Sequence, residues 1–313
     1  MSSLFIAGNG FDIAHGIPSS YSEFRKYIIR NYPDALEYRD EIVFLEDCDY
    51  IEVEEFAAEI LLNTMDKVNG ENWENFEAAL AHIDFGNKFP KPNHKENETE
   101  EEDNALMRDY MLYIDRLSSG FIGCTKVWQV FFQKWIREVQ ISIKKCNYDS
   151  KRSLKELFQE PEMLFFSFNY TKTLEKIYDI KEVTHIHNYV GQKLVFGHGE
   201  DNAIYEEKGK EAPVSSSFFN DMVMSFRKDT DFLMIRCKKF FKKLNRNIDK
   251  VYSYGFSYGK VDGVYIKKII KSISPDAMWY FTEFEAKNSE VLRIKKVKLR
   301  NYGFKGEFGV FEG

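Results

Sequence analysis

The chain reads as an α/β protein: a parallel, Rossmann-like sheet with helices on both faces and a large helical insertion. Three observations predict this. Short apolar runs recur, each broken by glycine or polar residues and followed by a helical stretch, which is the grammar of strand, turn and crossover helix. A block from about residue 52 to residue 145 interrupts that grammar with helical periodicity alone. Hydrophobic residues make up 43% and aromatic residues 16% of the 313 positions, enough for a packed core and too much for global disorder.

In order along the chain, Leu4–Ala7 is a buried strand that stops on Gly8-Asn9-Gly10. Ser22 to Asn31 reads as a helix with Phe24, Tyr27 and Ile28 on one face and Ser22 as its N-cap. Four helical pieces follow, marked by Phe56, Ile60 and Thr64, by Trp73, Phe76, Leu80 and Ile83, by Leu106, Tyr110, Tyr113 and Leu117, and by Val127, Phe131, Trp135, Val139 and Ile143. Asn87 to Asp103 carries two prolines and a run of acidic residues that repel one another, so a mobile acidic loop is expected near 87–104. Strand character returns at Met163–Phe168, and a helix is expected from Lys172 to Tyr178. Val183–His187 and Lys193–Phe196 read as short strands and Glu200–Ser217 as loop. Asp229 to Asn245 is helical, Val251–Tyr254 a strand, and a helix starts at Asp262. Met278–Phe281 is expected to be the last parallel strand, and the alternating apolar and basic tail from Val291 to be an antiparallel strand or hairpin. No internal repeat is evident. The organisation expected is a nucleotide-binding α/β core of residues 1–51 and 146–313 around an insertion of residues 52–145.

Charge and cysteine content narrow the function. The 44 basic and 50 acidic residues leave a net charge of −6, which argues against a dominant duplex-binding surface. Six acidic residues fall in Glu96–Asp103 alone, so the rest of the chain is near neutral and an anionic ligand is not excluded. Cys48, Cys124, Cys146 and Cys237 show no C-x-x-C spacing, so a cysteine-type zinc site has little support. The start has no basic segment before an apolar stretch, and no window approaches the ~20 apolar residues of a membrane span. Free thiols, a cytoplasmic setting and no membrane partner are expected.

Four constellations carry candidate chemistry, and all stand at predicted carboxyl ends of strands, where open α/β sheets gather ligands. The first is Gly8, Asn9, Gly10 and Asp12, followed by His15 and Ser19. Its glycines either bring backbone amides to a phosphate or serve a turn, and the full G-x-G-x-x-G spacing is absent. In the second, Asn169 and Tyr170 end a strand; the amide suits a ribose hydroxyl or a positioned water, or it caps the next helix. In the third, His185 and His187 alternate on a strand, which sends both rings to one face; either is a candidate base, and no third metal ligand is apparent. His198 lies between two glycines and is a further candidate. The fourth is Gly255, Ser257 and Asp262, a strand-end turn that can hold a ribose or phosphate with Asp262 capping the next helix.

These motifs, in this order, resemble the AbiH family of bacterial phage abortive-infection proteins. The residues that carry the resemblance are Gly-Asn-Gly-Phe-Asp-Ile-Ala-His-Gly-Ile-Pro-Ser-Ser-Tyr at 8–21, Trp73 with Glu77, Phe-Asn-Tyr-Thr-Lys-Thr-Leu-Glu at 168–175, His-Ile-His at 185–187, Phe-Gly-His-Gly at 196–199 and Gly-Phe-Ser-Tyr at 255–258. A more distant likeness is to sirtuin-like NAD-consuming domains, through Gly16-Ile17-Pro18, Asn169-Tyr170, His185 to Asn188 and Gly255 to Ser257. That likeness implies a sirtuin-like core and a catalytic pair: Asn169 positions the nicotinamide ribose and a water, and His187 acts as base as nicotinamide leaves. Asp12 is then a candidate to stabilise the oxocarbenium-like centre or to fix the turn. Asn188 stands where the sirtuin-like pattern has glycine, and the cysteine pairs of the sirtuin zinc module are missing. The likeness therefore implies NAD hydrolysis more than deacylation. NAD or a related nucleotide enters as substrate, with no separate cofactor and no metal. Homo-oligomers, a defence-system partner and a phage trigger are the macromolecular partners expected. Two other readings stay open: a non-catalytic nucleotide sensor in a defence assembly, and a nuclease using the basic residues of Phe131–Lys145.

Overall fold

A computed structural model describes residues 2–36, 50–83, 99–145, 148–199, 221, 223–244 and 247–313. The chain divides into two compact units: one of residues 1–20, 133–195 and 229–313, and one of residues 21–132 and 196–228.

The first unit is built on a six-stranded sheet with every pairing parallel. Its strands are β1 (Ser2–Ala7), β2 (Met163–Ser167), β3 (Thr184–His185), β4 (Ile248–Tyr254), β5 (Met278–Thr282) and β6 (Glu307–Phe311). They lie in the order β3-β2-β1-β4-β5-β6, which is the Rossmann arrangement. β1 is central, with Phe5 opposite both Phe165 and Tyr252. Its side chains alternate between the two faces. Leu4 and Ile6 join a core with Phe166, Val251 and Trp279, and Phe5 and Ala7 join another with Phe165, Tyr252 and Tyr254. Each fully buried Leu, Ile or Phe contributes about 2 kcal/mol of transfer free energy.

Helices cover both faces of the sheet. Phe11 of α1 (Asn9–Ile13), Leu154 and Leu174 pack on the second core. The first core takes Leu233, Phe240 and Phe241 from the 230–243 segment, Tyr265, Ile266 and Ile269 from the helix Gly263–Ser272, and Leu299 from the helix Ser289–Asn301. The predicted parallel α/β fold is therefore the observed one.

Two local expectations are corrected. The tail from Val291 is helical, and the chain then returns as β6, parallel to β5, so β5 is not the last strand. Leu292 packs on the core beside buried Leu299 seven residues later, a helical spacing that the eye reads as alternation, and Asn288 caps the helix by accepting the Val291 N–H at 3.1 Å. Lys193–Phe196 forms no strand; the Val195 N–H is spent on the His187 carbonyl at 3.0 Å within one loop.

The second unit is mainly helical. It holds α2 (Tyr21–Asn31), α3 (Tyr50–Asn69), α4 (Phe76–Ala79) and the larger part of α5 (Glu100–Lys145). Its core is aromatic: Phe24 meets Trp73, Phe76 and Phe132 edge-on, and Trp128 stacks on Phe226. Arg25 makes a bidentate pair with Asp66, which also accepts the Trp73 indole N–H at 2.7 Å. Buried Lys228 is paired with Glu77 at 3.0 Å. Most of the acidic loop expected near 87–104 lies outside the described residues; from Glu100 the chain is helical. The Glu200–Ser217 segment and Cys48 and Cys146 also lie outside them, whereas Cys124 and Cys237 are free and buried. Among the described residues no helix is long and apolar enough to cross a membrane.

Candidate functional site

The candidate site stands in the first unit, at the carboxyl edge of β1, β2 and β3. Asp12 follows β1 and is buried. Its Oδ1 accepts from the Asn169 side-chain amide at 2.9 Å, and its Oδ2 accepts from the Thr171 hydroxyl. Thr171 in turn lies 3.0 Å from the Thr173 hydroxyl. Burial pushes the Asp12 carboxyl up to about 6, against the lowering effect of hydrogen bonds from Thr171, Thr173 and Asn169 and of the charge at His185.

Asn169 is 6% exposed. Its backbone N–H donates to the Ser167 hydroxyl at 3.1 Å, and its backbone carbonyl lies 3.0 Å from His185 Nδ1. Its Oδ1 is buried and has no hydrogen-bond partner among the described residues. Leaving such an acceptor unpaired costs about 1–3 kcal/mol, so it calls for a reason.

The two histidines take different partners. β3 ends at His185, so the alternation expected to place both rings on one strand face does not extend to His187. His185 Nε2 lies 2.9 Å from Glu175 Oε1. His187 Nε2 lies 3.1 Å from Asp262 Oδ1, and the ring is enclosed by Phe168, Tyr170 and Tyr265, leaving it 2% exposed. Asp262 stands at the N-cap position of its helix without the expected side-chain cap bond. The turn after β3 is held by Arg236, which donates to Asn188 Oδ1 and to the carbonyls of Ile186 and His185. Asn188 has φ of +65°, the left-handed conformation that a glycine would supply, and asparagine is among the side chains that tolerate it.

The glycine constellations meet each other. A Cβ on Gly8 or on Gly10 would lie 2.6 Å from backbone atoms of Gly255 or Phe256. Gly255 itself has φ of +62°, and a Cβ there would strike the Gly10 backbone. The Gly8 N–H donates to the Tyr254 carbonyl, Gly10 N–H to the Gly255 carbonyl and Phe11 N–H to the Gly8 carbonyl, each at 2.9 Å. Of the two roles the sequence left open for the glycines, a phosphate cradle or a turn, these bonds show the Gly8 and Gly10 amides engaged inside the protein.

The remaining candidates are dispersed. Asn9 Oδ1 accepts from the Ser19 hydroxyl at 2.7 Å. His15 turns to the other face, with Nδ1 2.7 Å from the Phe11 carbonyl and Nε2 2.6 Å from the Tyr178 hydroxyl. Burial pushes His15 below the usual histidine range and Tyr178 up to about 12. The Tyr170 hydroxyl donates to the Val195 carbonyl at 3.1 Å. Ser257 is exposed. His198 belongs to the second unit, where it is fully buried, pairs through its backbone with Phe226 and Lys228 and sets Nε2 2.8 Å from the Val223 carbonyl.

Sequence reasoning placed Thr171 in the strand-end motif without giving it a role, and missed Thr173, Glu175 and Gln140. The first three lie within the 168–175 motif, where polar residues at alternate positions after a strand end were the available signal. Gln140, whose Oε1 accepts the Lys172 N–H at 2.7 Å, gives no sequence signal, because the two are brought together only by the fold.

The family model described as "Bacteriophage abortive infection AbiH" matches residues 4–283. No curated protein and no solved structure matches the chain.

Proposed function

The chain belongs to the AbiH family of bacteriophage abortive-infection proteins, and from that premise we propose that it acts in phage defence by hydrolysing the N-glycosidic bond of NAD or a related nucleotide. The observation that carries this reading is the Asn169 amide: one end is tied to Asp12 and the other is a buried acceptor without a partner. An acceptor so fixed suits a ribose hydroxyl or the attacking water. In the reaction the bond between ribose C1′ and nicotinamide nitrogen breaks, and nicotinamide leaves with the electron pair. Water adds at C1′, and its proton passes to His187, whose Nε2 lies 3.1 Å from Asp262 Oδ1. The Gly8 and Gly10 amides take no part in this reading, since they are already bonded.

The test is nicotinamide release by the purified full chain beside Asn169→Ala and His187→Ala. A loss of at least about a hundredfold in each variant is expected, and activity that survives both substitutions overturns the assignment. The enclosure of His187 favours a second reading, a nucleotide sensor without turnover. Binding of an adenine nucleotide that His187→Ala leaves unchanged, with no nicotinamide released by the wild type, would select that reading instead.

A further inference from the structure

We infer that Asp12 is a positioning residue, which sets the orientation of the Asn169 side-chain amide and so presents its carbonyl oxygen to the ligand. The identity of that ligand rests on the hydrolase reading above; the orientation does not. A terminal amide can be rotated by half a turn with little change in shape, exchanging a two-proton donor for an acceptor. A carboxylate is an acceptor only. Facing Asp12, the Nδ2 end gains a charge-assisted hydrogen bond at 2.9 Å, whereas the Oδ1 end would meet a second acceptor. The carboxylate therefore selects one of the two orientations.

Asp12 is itself held from several sides. Thr171 donates to its other oxygen, and the His15 and Ile17 N–H groups both donate to its backbone carbonyl. The groups that face it are Asn169 and Thr171 from the segment after β2, Thr173 from the next helix and His185 from β3, whose far nitrogen is on Glu175. Both carboxylate oxygens are engaged by side chains, Oδ1 by Asn169 and Oδ2 by Thr171, which fits a positioning role. Burial brings its ionisation to about 6, within the range where the folded protein can be titrated. A protonated carboxyl gains a donor, and the preference between the two amide orientations then weakens.

The experiment follows the Asn169 side-chain amide by NMR in the full chain labelled with ¹⁵N-asparagine, the resonance being assigned by its loss in Asn169→Ala. Between about pH 5 and about pH 8 it should move with one midpoint near that of Asp12, and Asp12→Asn, which keeps the shape and a carbonyl acceptor, should abolish the movement. A resonance that stays still, or one that moves equally in Asp12→Asn, overturns the inference. In turnover, Asp12→Ala should lower kcat about a hundredfold, and Asp12→Asn should stay within about tenfold while losing the acidic limb of the pH profile. The amide readout needs no turnover. A titrating amide without NAD cleavage sinks only the hydrolase reading, and NAD cleavage with a silent amide sinks only the positioning role.

Discussion

The carboxyl edge of the sheet holds two regions built from opposite materials. Between β1 and β4, Gly8, Gly10 and Gly255 let two backbones pass within contact distance, and the Gly8 and Gly10 amides donate to the Tyr254 and Gly255 carbonyls. Between β1, β2 and β3, side chains do the bonding: Asp12, Asn169, Thr171, Thr173, His185 and Glu175. In the first region the Gly8 and Gly10 amides are bonded, and packing accounts for the glycines. The second leaves Asn169 Oδ1 without a partner after that packing is complete. A residue pattern that packing fully explains is weak evidence for a ligand, and a buried group that packing leaves unpaired is stronger evidence.

Three substitutions break or sharpen this contrast. The largest effect is expected from Gly255→Ala, because the new methyl meets the Gly10 backbone in a left-handed conformation that alanine resists. Urea unfolding should show a loss of about 3 kcal/mol or more. A variant as stable as the wild type would remove the packing account of the glycines and return them to the ligand.

The second tests the polar region. Burial raises the Asp12 carboxyl from its ordinary carboxylate value to about 6, so between those values the native state binds more protons than the unfolded one. Stability therefore falls as pH rises through this window, by roughly 3 kcal/mol at most, and the full penalty is present above about pH 6. Asp12→Asn should flatten that part of the stability profile in thermal melts taken from about pH 4 to about pH 7. An unchanged slope would mean that the carboxyl is more solvated than its burial implies.

The smallest effect is expected from Ser19→Ala, which removes one hydrogen bond to Asn9 beside the glycine crossing. A cost of about 1 kcal/mol in the same unfolding assay is expected. A much larger loss would make the Asn9 side chain a part of the crossing itself.

The sequence made some of this legible, for physical reasons that differ by residue. β1, β2, β4 and β5 were readable because each is a short apolar run closed by glycine or a polar residue. The last helix was not, because Leu292 and Leu299 carry its buried side while Val291, Ile294 and Val297 stay exposed, so apolar residues occur all round it. Asn169 and His187 were nameable from their motifs, but Asp12's role was not: its partner is 157 residues away in sequence. The glycines were legible as special, with two reasons left open, since close approach to a phosphate and close approach to another backbone demand the same absent side chain.

Arg236 gives the turn after β3 a further property. Its planar guanidinium is a fixed fork of donors, and it grips one side-chain oxygen and two carbonyls of the 185–188 segment. The backbone that carries both imidazoles is thus clamped by one side chain from the 230–243 segment, so the two rings share a single bracket and a change at Arg236 would disturb both together.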